Sequence, residues 1–285
     1  MKVLVTGVKG QLGYDVCKVL TRRNIENHGV DLEDFDITDR QATHQYIRNY
    51  APDVVVHCSA WTAVDAAEDM LEKVAAVNVE GPRNIAQVCK ELGAKMVYIS
   101  TDYVFPGDGE NFYEVSDAAD PSSVYGKTKL GGELAVRETL DEHFIVRISW
   151  VFGINGNNFV KKMLQLAETR DELSIVCDQI GSPTYTADLA PLLCDMIETE
   201  KYGTYHATNE NICSWAEFAE EIFRLAGKNV KVNHILTKDY PVKARRPLNS
   251  RMSKQKLDDM NFRRLPTWQD ALARYIEELK GERNI

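Results

Sequence analysis

The stretch "VTGVKGQLG", residues 5–13, constrains this chain more than any other. A continuous apolar run, "KVLVTG", stops at Gly7, and a helical pattern through Leu12, Val16 and Leu20 begins at once. A short unbroken apolar run reads as a strand buried on both faces, so helices must cover it. Gly7, Gly10 and Gly13 fall on the turn between strand and helix. Glycine lets the backbone turn tightly and approach a bound group closely. The N-terminus of the helix that follows presents unpaired N–H groups and a partial positive charge, which attract phosphate. The spacing is GxxGxxG and differs from the GxGxxG of ordinary dinucleotide sites. The turn predicts nucleotide binding, with Gly7, Gly10, Gln11, Leu12 and Gly13 around a pyrophosphate.

The same rhythm continues. "HGVD", "DVVVHCSA", "KMVYIS" and "HFIVRIS" read as strands. "RQATHQYIRNYA", "AEDMLEKVAAVNVEGPRNIAQVCKELG" and "SSVYGKTKLGGELAVRETL" read as the helices between them. Gly93 is the stop of the second helix, while Pro121 and the serines open the third. Short apolar strands alternating with helices predict an α/β fold, a Rossmann-like doubly wound parallel sheet. After about Trp150 the rhythm loosens. "NFVKKMLQLAET", "TADLAPLLCDMIE", "SWAEFAEEIFRLAG" and "TWQDALARYIEELKG" read as helices, and "LSIV", "GTYHAT" and "VNHIL" as strands. Between them lies a basic, proline-broken loop, "PVKARRPLNSRMS". The organisation expected is a dinucleotide-binding domain over 1–150 and a smaller, mainly substrate-binding domain over 151–285. Elements at about 186–208 are expected to return to the first sheet.

Composition removes several classes of function. The chain has 285 residues, 44% hydrophobic and 27% charged, ordinary for a globular protein. A net charge of −9 argues against nucleic acid as the main partner, because a phosphate backbone wants a basic face. The six cysteines are scattered and form no CxxC pair, which points to free thiols in the cytoplasm. There is no apolar run long enough to span a membrane. The six histidines are dispersed without an HExxH pattern, so no intrinsic metal site is expected.

Other residues carry chemistry by position. Asp31 ends the second strand about twenty residues beyond the glycines, where an acid holds an adenosine ribose hydroxyl. Such an acid repels a 2′-phosphate and favours NADH over NADPH. Asp36 and Ile37 are placed to flank the adenine. In "YGKTK", Tyr125 and Lys129 stand one helical turn apart and share a face. By spacing alone that is a surface pair. Carbonyl reduction gives the pair a purpose. Hydride addition to a ketone leaves an alkoxide that needs a proton, and a tyrosine with an ordinary pKa near 10 is a reluctant donor. A neighbouring ammonium stabilises the phenolate. A hydroxyl past the preceding strand, Ser100 or Thr101, is placed to hold the carbonyl oxygen.

Together with the glycine turn, "SAWTAVD", "NVEGP", "STDYVF" and "YGKTK" resemble an extended short-chain dehydrogenase/reductase. "STDYVFPGDG", "VYGKTKLGGE", "RISWVFG", "NNFV", "DQIGSPTYTADLA" and "RPLNS" are similar to the dTDP-4-dehydrorhamnose reductase family, over essentially the whole chain. The resemblance implies an NADH- or NADPH-dependent enzyme for the last step in making dTDP-L-rhamnose. Its partner would be a nucleotide sugar, with a homodimer left open. It favours Thr101 over Ser100; most of the superfamily has serine there, and threonine keeps the donor. It puts Ala60, Trp61 and Thr62 beside the ribose and phosphates of the cofactor. His57, Cys58 and Ser59 depart from the usual Asn-Ala-Ala run just before them. It lines the sugar pocket with Val64, Asp102, Tyr103 and Trp150, the last equally suited to core packing.

Arg245 and Arg246 would clamp the substrate diphosphate, or else form a solvated pair. Asn249 and Ser250 extend that motif. Asn78 resembles an asparagine that orders a relay water, with a backbone cap as its competing role. Some relatives hold a divalent metal between subunits, for which Asp15 is a weak candidate. Two alternatives stay open on the same scaffold. One is a nucleotide-sugar epimerase or dehydratase, although Tyr103 stands where a dehydratase carries glutamate. The other is a non-catalytic regulatory subunit like that of methionine adenosyltransferase.

Overall fold

The computed structural model describes residues 1–283. Its centre is a six-stranded sheet among the described residues. In chain order the strands are β1 (Lys2–Thr6), β2 (Glu26–Val30), β3 (Val54–His57), β4 (Lys95–Thr101), β5 (His143–Ile148) and β6 (Gly203–His206). They lie side by side as β6-β5-β4-β3-β1-β2, each neighbouring pair parallel. Side chains alternate across the sheet, as the period of two requires. Val3 and Val5 pack with Val16, Leu20 and Leu193 on one face. Leu4 and Val55 pack with Ile85 and Val88 on the other. Both faces are covered, which is why these strands read as unbroken apolar runs.

The chain leaves β1 for β2 at the sheet edge, then crosses back to place β3 on the other side of β1. The loops after β1 and β3 therefore diverge, and a crevice opens at the carboxyl ends of these strands. The helix Thr186–Ile197 packs on the same sheet face as Gln11–Arg22, and β6 pairs with β5. The rest of the second half builds its own core from the helices Phe159–Leu166, Trp215–Leu225 and Trp268–Arg283. A parallel pair, Glu172–Val176 with Lys231–Ile235, flanks it. No helix among the described residues is long and apolar enough to cross a membrane.

One element differs from the sequence reading. The helical run from Ala67 to Gly93 is not continuous. It forms Leu71–Ala75, a π-helical turn Ala76–Glu80, and Gly81–Leu92, ending at Gly93 with φ +64°. Pro82 is the reason. It has no N–H to give the carbonyl four residues back, that of Asn78. The Tyr98 hydroxyl donates to that carbonyl instead, at 3.4 Å. The widened turn turns Asn78 inward, where it is 1% exposed.

Candidate active site

Gly7 ends β1 with φ +71°, in the left-handed region that favours glycine. A Cβ there would stand 2.8 Å from the Ser59 amide nitrogen. A Cβ on Gly13 would stand 2.4 Å from the Gly7 carbonyl oxygen, so helix and turn touch through bare backbone. Gly10 caps the helix without a side-chain hydrogen bond, and no acid occupies the first turn. That end of the helix is a cradle of N–H groups without an anion of its own, and a pyrophosphate fits it.

A groove of about 680 Å³ runs from this turn across the carboxyl ends of the strands. Gly7, Gly10, Gln11, Leu12 and Asp31 line one end. Gly13 lies beneath the turn and does not line the groove. Asp31 accepts the N–H groups of Lys9 and Leu32, each at 2.9 Å. A cavity of about 200 Å³ beside it is lined by Asp31, Phe35, Asp36, Ile37 and Ala60. Asp36 already accepts from the Thr38 N–H and hydroxyl, each at 2.8 Å, which leaves it less capacity for an adenine amino group. Ala60, Thr62 and Val64 line the main groove, whereas Trp61 does not. Asn78 grips the Trp61 backbone from both sides: Oδ1 accepts its N–H at 2.9 Å and Nδ2 donates to its carbonyl at 3.2 Å. Nδ2 also donates to Thr128 at 3.2 Å. The geometry of Asn78 is that of a backbone tie between the loop after β3 and the helix of Tyr125.

The other end of the groove holds Thr101, Tyr125 and Lys129. Ser123 accepts the Gly126 N–H at 3.1 Å and caps the helix Val124–Thr139. The cap fixes where the helix begins, and so which face carries Tyr125 and Lys129. Lys129 is 2% exposed. Its ammonium donates to the Ile99 carbonyl at 2.7 Å and lies 4.1 Å over the Tyr98 ring. Burial lowers its pKa to about 7, opposed by the negative charge of Glu133. Burial raises the Tyr125 phenol above its ordinary value, while a hydrogen bond with Thr101 pulls it down. Thr101 donates to Asp102 at 3.0 Å and accepts the Tyr103 N–H at 3.3 Å. Asp102 also accepts from Ser250 at 2.5 Å. Burial lifts the Asp102 carboxyl to about 6, against the hydroxyls that stabilise its charge. Ser100 gives its hydroxyl to Glu133 at 2.5 Å, beneath the site.

On the substrate side, Tyr103 stands edge-on to Tyr125, ring centres 5.3 Å apart. Its hydroxyl accepts from Arg246 at 3.1 Å, and Arg246 also donates to Asp65 at 2.6 Å. Past Tyr103 a second cavity of about 720 Å³ opens, with Lys162, Arg170 and Arg246 on its wall. Trp150 faces both the groove and the core. It lines the groove and packs at the edge of the second core, stacked on Trp215 with ring centres 3.8 Å apart. Two residues expected at the substrate lie elsewhere. Arg245 pairs with Asp108 at 3.0 Å in the open and lines neither cavity. Asn249 also lines neither; its amide donates to the carbonyls of Asp108 and Asn111 and so fixes that turn. Asp15 accepts from Thr186 at 2.5 Å, and neither residue lines the groove.

A family model, the RmlD substrate binding domain, matches residues 1–280. The chain belongs to this family. It is 40% identical over 277 residues to the spore coat polysaccharide biosynthesis protein SpsK of Bacillus subtilis (strain 168), covering 97% of each chain. It superposes on a dTDP-4-dehydrorhamnose reductase from Clostridium acetobutylicum with a TM-score of 0.96 and 42% identity, covering 98% of this chain and all of that one. A dTDP-4-dehydrorhamnose reductase from Bacillus anthracis, solved in complex with NADP, gives a TM-score of 0.95 and 40% identity, with 98% of this chain and all of that one covered. The Rossmann-like parallel sheet is common to the family and to these structures.

Several residues in or beside the groove escaped the sequence reading. Asn155 donates to the Lys9 carbonyl at 2.8 Å, and Asn158 to Gln11 at 2.9 Å, so the second half of the chain fastens the glycine turn. "NGNNFV" reads locally as a loop and a helix cap, which is also true: Asn158 accepts the Lys161 N–H at 3.0 Å. Gln179 and Trp215 line both cavities. Nothing local marks them, since a tryptophan opening a helix reads as core.

Proposed function

We propose that this chain is an NAD(P)H-dependent oxidoreductase. It reduces the C4 keto group of dTDP-4-dehydrorhamnose (dTDP-4-dehydro-6-deoxy-L-mannose) to give dTDP-L-rhamnose. The observation that carries this reading is a shared border. The groove that holds the glycine cradle and the Thr101–Tyr125–Lys129 cluster shares Tyr103, Gln179 and Trp215 with a second cavity that carries Lys162, Arg170 and Arg246 beside Asp65 and Glu172. Reductases of this name are among its relatives of 36–42% identity over nearly the whole chain.

A nicotinamide cofactor bound in the groove supplies the hydride. The chain's own residues do the rest. Gly7, Gly10 and the helix N-terminus hold the pyrophosphate, and Asp31 takes the adenosine ribose. The relative solved with NADP supports use of NADPH, while Asp31 favours NADH. When substrate binds, Thr101 turns its hydroxyl from Asp102 to the carbonyl oxygen and holds it. Tyr125 is protonated at neutral pH, as an ordinary tyrosine is, and so has a proton to give to that oxygen; burial raises its pKa and makes the transfer harder. Lys129, one turn on, supplies the cation that stabilises the phenolate left behind. Arg246, with Lys162 and Arg170 beyond it, takes the diphosphate end. Residues 1–150 with 186–208 serve the cofactor, and most of the remainder serves the substrate. Six free cysteines suit a reducing compartment, which supports a cytoplasmic location.

The test is NADH oxidation at 340 nm with dTDP-4-dehydrorhamnose generated in situ. The native chain is expected to turn over, and Tyr125→Phe to lose on the order of 10²–10⁴-fold in kcat. A native chain that binds NADH but leaves this substrate untouched would refute the reading.

A further inference from the structure

A strap over residues 243–247 crosses from the second half of the chain to the nucleotide-binding half. Three of its cations meet three acids there: Lys243 with Asp69, Arg245 with Asp108, and Arg246 with Asp65. The first two pairs are more than half exposed on both partners, so water and salt weaken them. The third is different. The Arg246 side chain is 22% exposed, against 45% for Asp65, and donates from Nη2 to Asp65 Oδ2 at 2.6 Å. The other oxygen of Asp65 accepts the N–H of Ala244, itself buried, at 3.0 Å. One carboxylate thus grips the strap by backbone and by side chain. Arg246 also gives Nη1 to the Tyr103 hydroxyl, so two partners set the plane of its guanidinium.

Asp65, Tyr103 and Arg246 all line the second cavity. An acid beside a phosphate-binding arginine acts either as a competitor or as a brace. Arginine carries five N–H donors, and these contacts use two of them. The remaining donors are available to an anion while Asp65 stays in place. A long side chain loses freedom when it clamps a ligand, and a brace removes that loss beforehand. From this we infer that Asp65 is a positioning residue for the diphosphate of a nucleotide sugar: it fastens the strap and aims Arg246 into the second cavity before substrate arrives. The inference rests on the nucleotide-sugar reading above.

The test compares the native full-length chain with Asp65→Asn, Asp65→Ala and, as a control, Asp69→Asn. The dissociation constant of dTDP is measured by calorimetry at saturating NADH, alongside KM and kcat for the dTDP-sugar. Asp65→Ala is expected to weaken dTDP and raise KM by on the order of ten-fold, as loss of a supporting contact does elsewhere. Asp65→Asn keeps the shape and is expected to fall between. NADH affinity stays at the native value, kcat moves less than KM, and Asp69→Asn matches the native chain. If the Asp65 variants bind dTDP as tightly as the native chain, or more tightly, Asp65 is no brace and the inference falls. A native chain that binds NADH but no dTDP overturns the nucleotide-sugar reading, and this inference with it.

Discussion

Lys129 donates its ammonium to the Ile99 carbonyl at 2.7 Å, near the end of the strand that carries Thr101. Together with the bond from Ser100 to Glu133, this contact joins the helix of Tyr125 to the strand of Thr101. It also holds a cation in a place where water is scarce. The ammonium is solvated by a carbonyl and the Tyr98 ring face, which is poorer than water, and its pKa falls to about 7. Its charge is thus conditional close to neutrality.

That condition gives a pH dependence. As pH rises through about 7, Lys129 loses its proton, and with it the charge proposed to stabilise the Tyr125 phenolate. We expect kcat/KM to fall on the alkaline side with an inflection near 7, and Lys129→Met to remove that limb. Around the ammonium, Glu133 is paired with Arg147, and His57, lowered by burial to about 3, is neutral. Stability moves the other way. The folded pKa is below the ordinary lysine value, so between about 7 and 10.5 the unfolded chain binds more protons. The cost of the buried charge is full below about 7 and fades as pH rises towards 10.5. Urea unfolding of native and Lys129→Met across this range is expected to show the gap between them closing as pH rises.

Gly7→Ala tests the cradle. A side chain at φ +71° is strained, and its Cβ would meet the Ser59 backbone. The left-handed conformation alone costs roughly 1–2 kcal/mol. NADH affinity, followed by fluorescence titration, is expected to drop by on the order of ten-fold or more, each factor of ten being about 1.4 kcal/mol. Native affinity in this variant would count against a phosphate at the turn.

Cofactor choice is expected to turn on Asp31. Asp31→Asn keeps an acceptor for the Lys9 N–H but removes the charge that faces a 2′-phosphate. The ratio of kcat/KM for NADPH over NADH is expected to rise by on the order of ten-fold, ~1.4 kcal/mol. An unchanged ratio would place the adenosine ribose away from Asp31.

Beneath the site, Glu133 is fully buried and paired with Arg147 through two hydrogen bonds of 2.8 and 2.7 Å. Glu133→Gln leaves the guanidinium without its charge partner, and breaking such a pair costs about 3–5 kcal/mol. The urea midpoint should fall accordingly. Arg137→Ala, on the exposed partner of the same glutamate, is expected to cost under ~1 kcal/mol.

What the sequence determined by itself was local or periodic. Apolar runs named the buried strands because a parallel sheet is covered on both faces. The glycines after β1 and the Ser123 cap named a tight turn and a helix start because φ and N–H satisfaction are decided within a few residues. Tyr125 and Lys129 were legible because a helical turn fixes their shared face. The tertiary structure decided the rest. Asp65 and Arg246 meet across 181 positions, and Asn155 reaches Lys9 across 146. No periodicity records such pairs; they follow from where loops cross once the core has packed. The same cause moved Asn249 and Arg245 off the groove and brought Trp215 onto it. Asn78 lies between the two cases. Pro82 is visible in the sequence, but only the packing of Tyr98 against the freed carbonyl shows that the helix widens there and turns Asn78 towards Trp61 and Thr128.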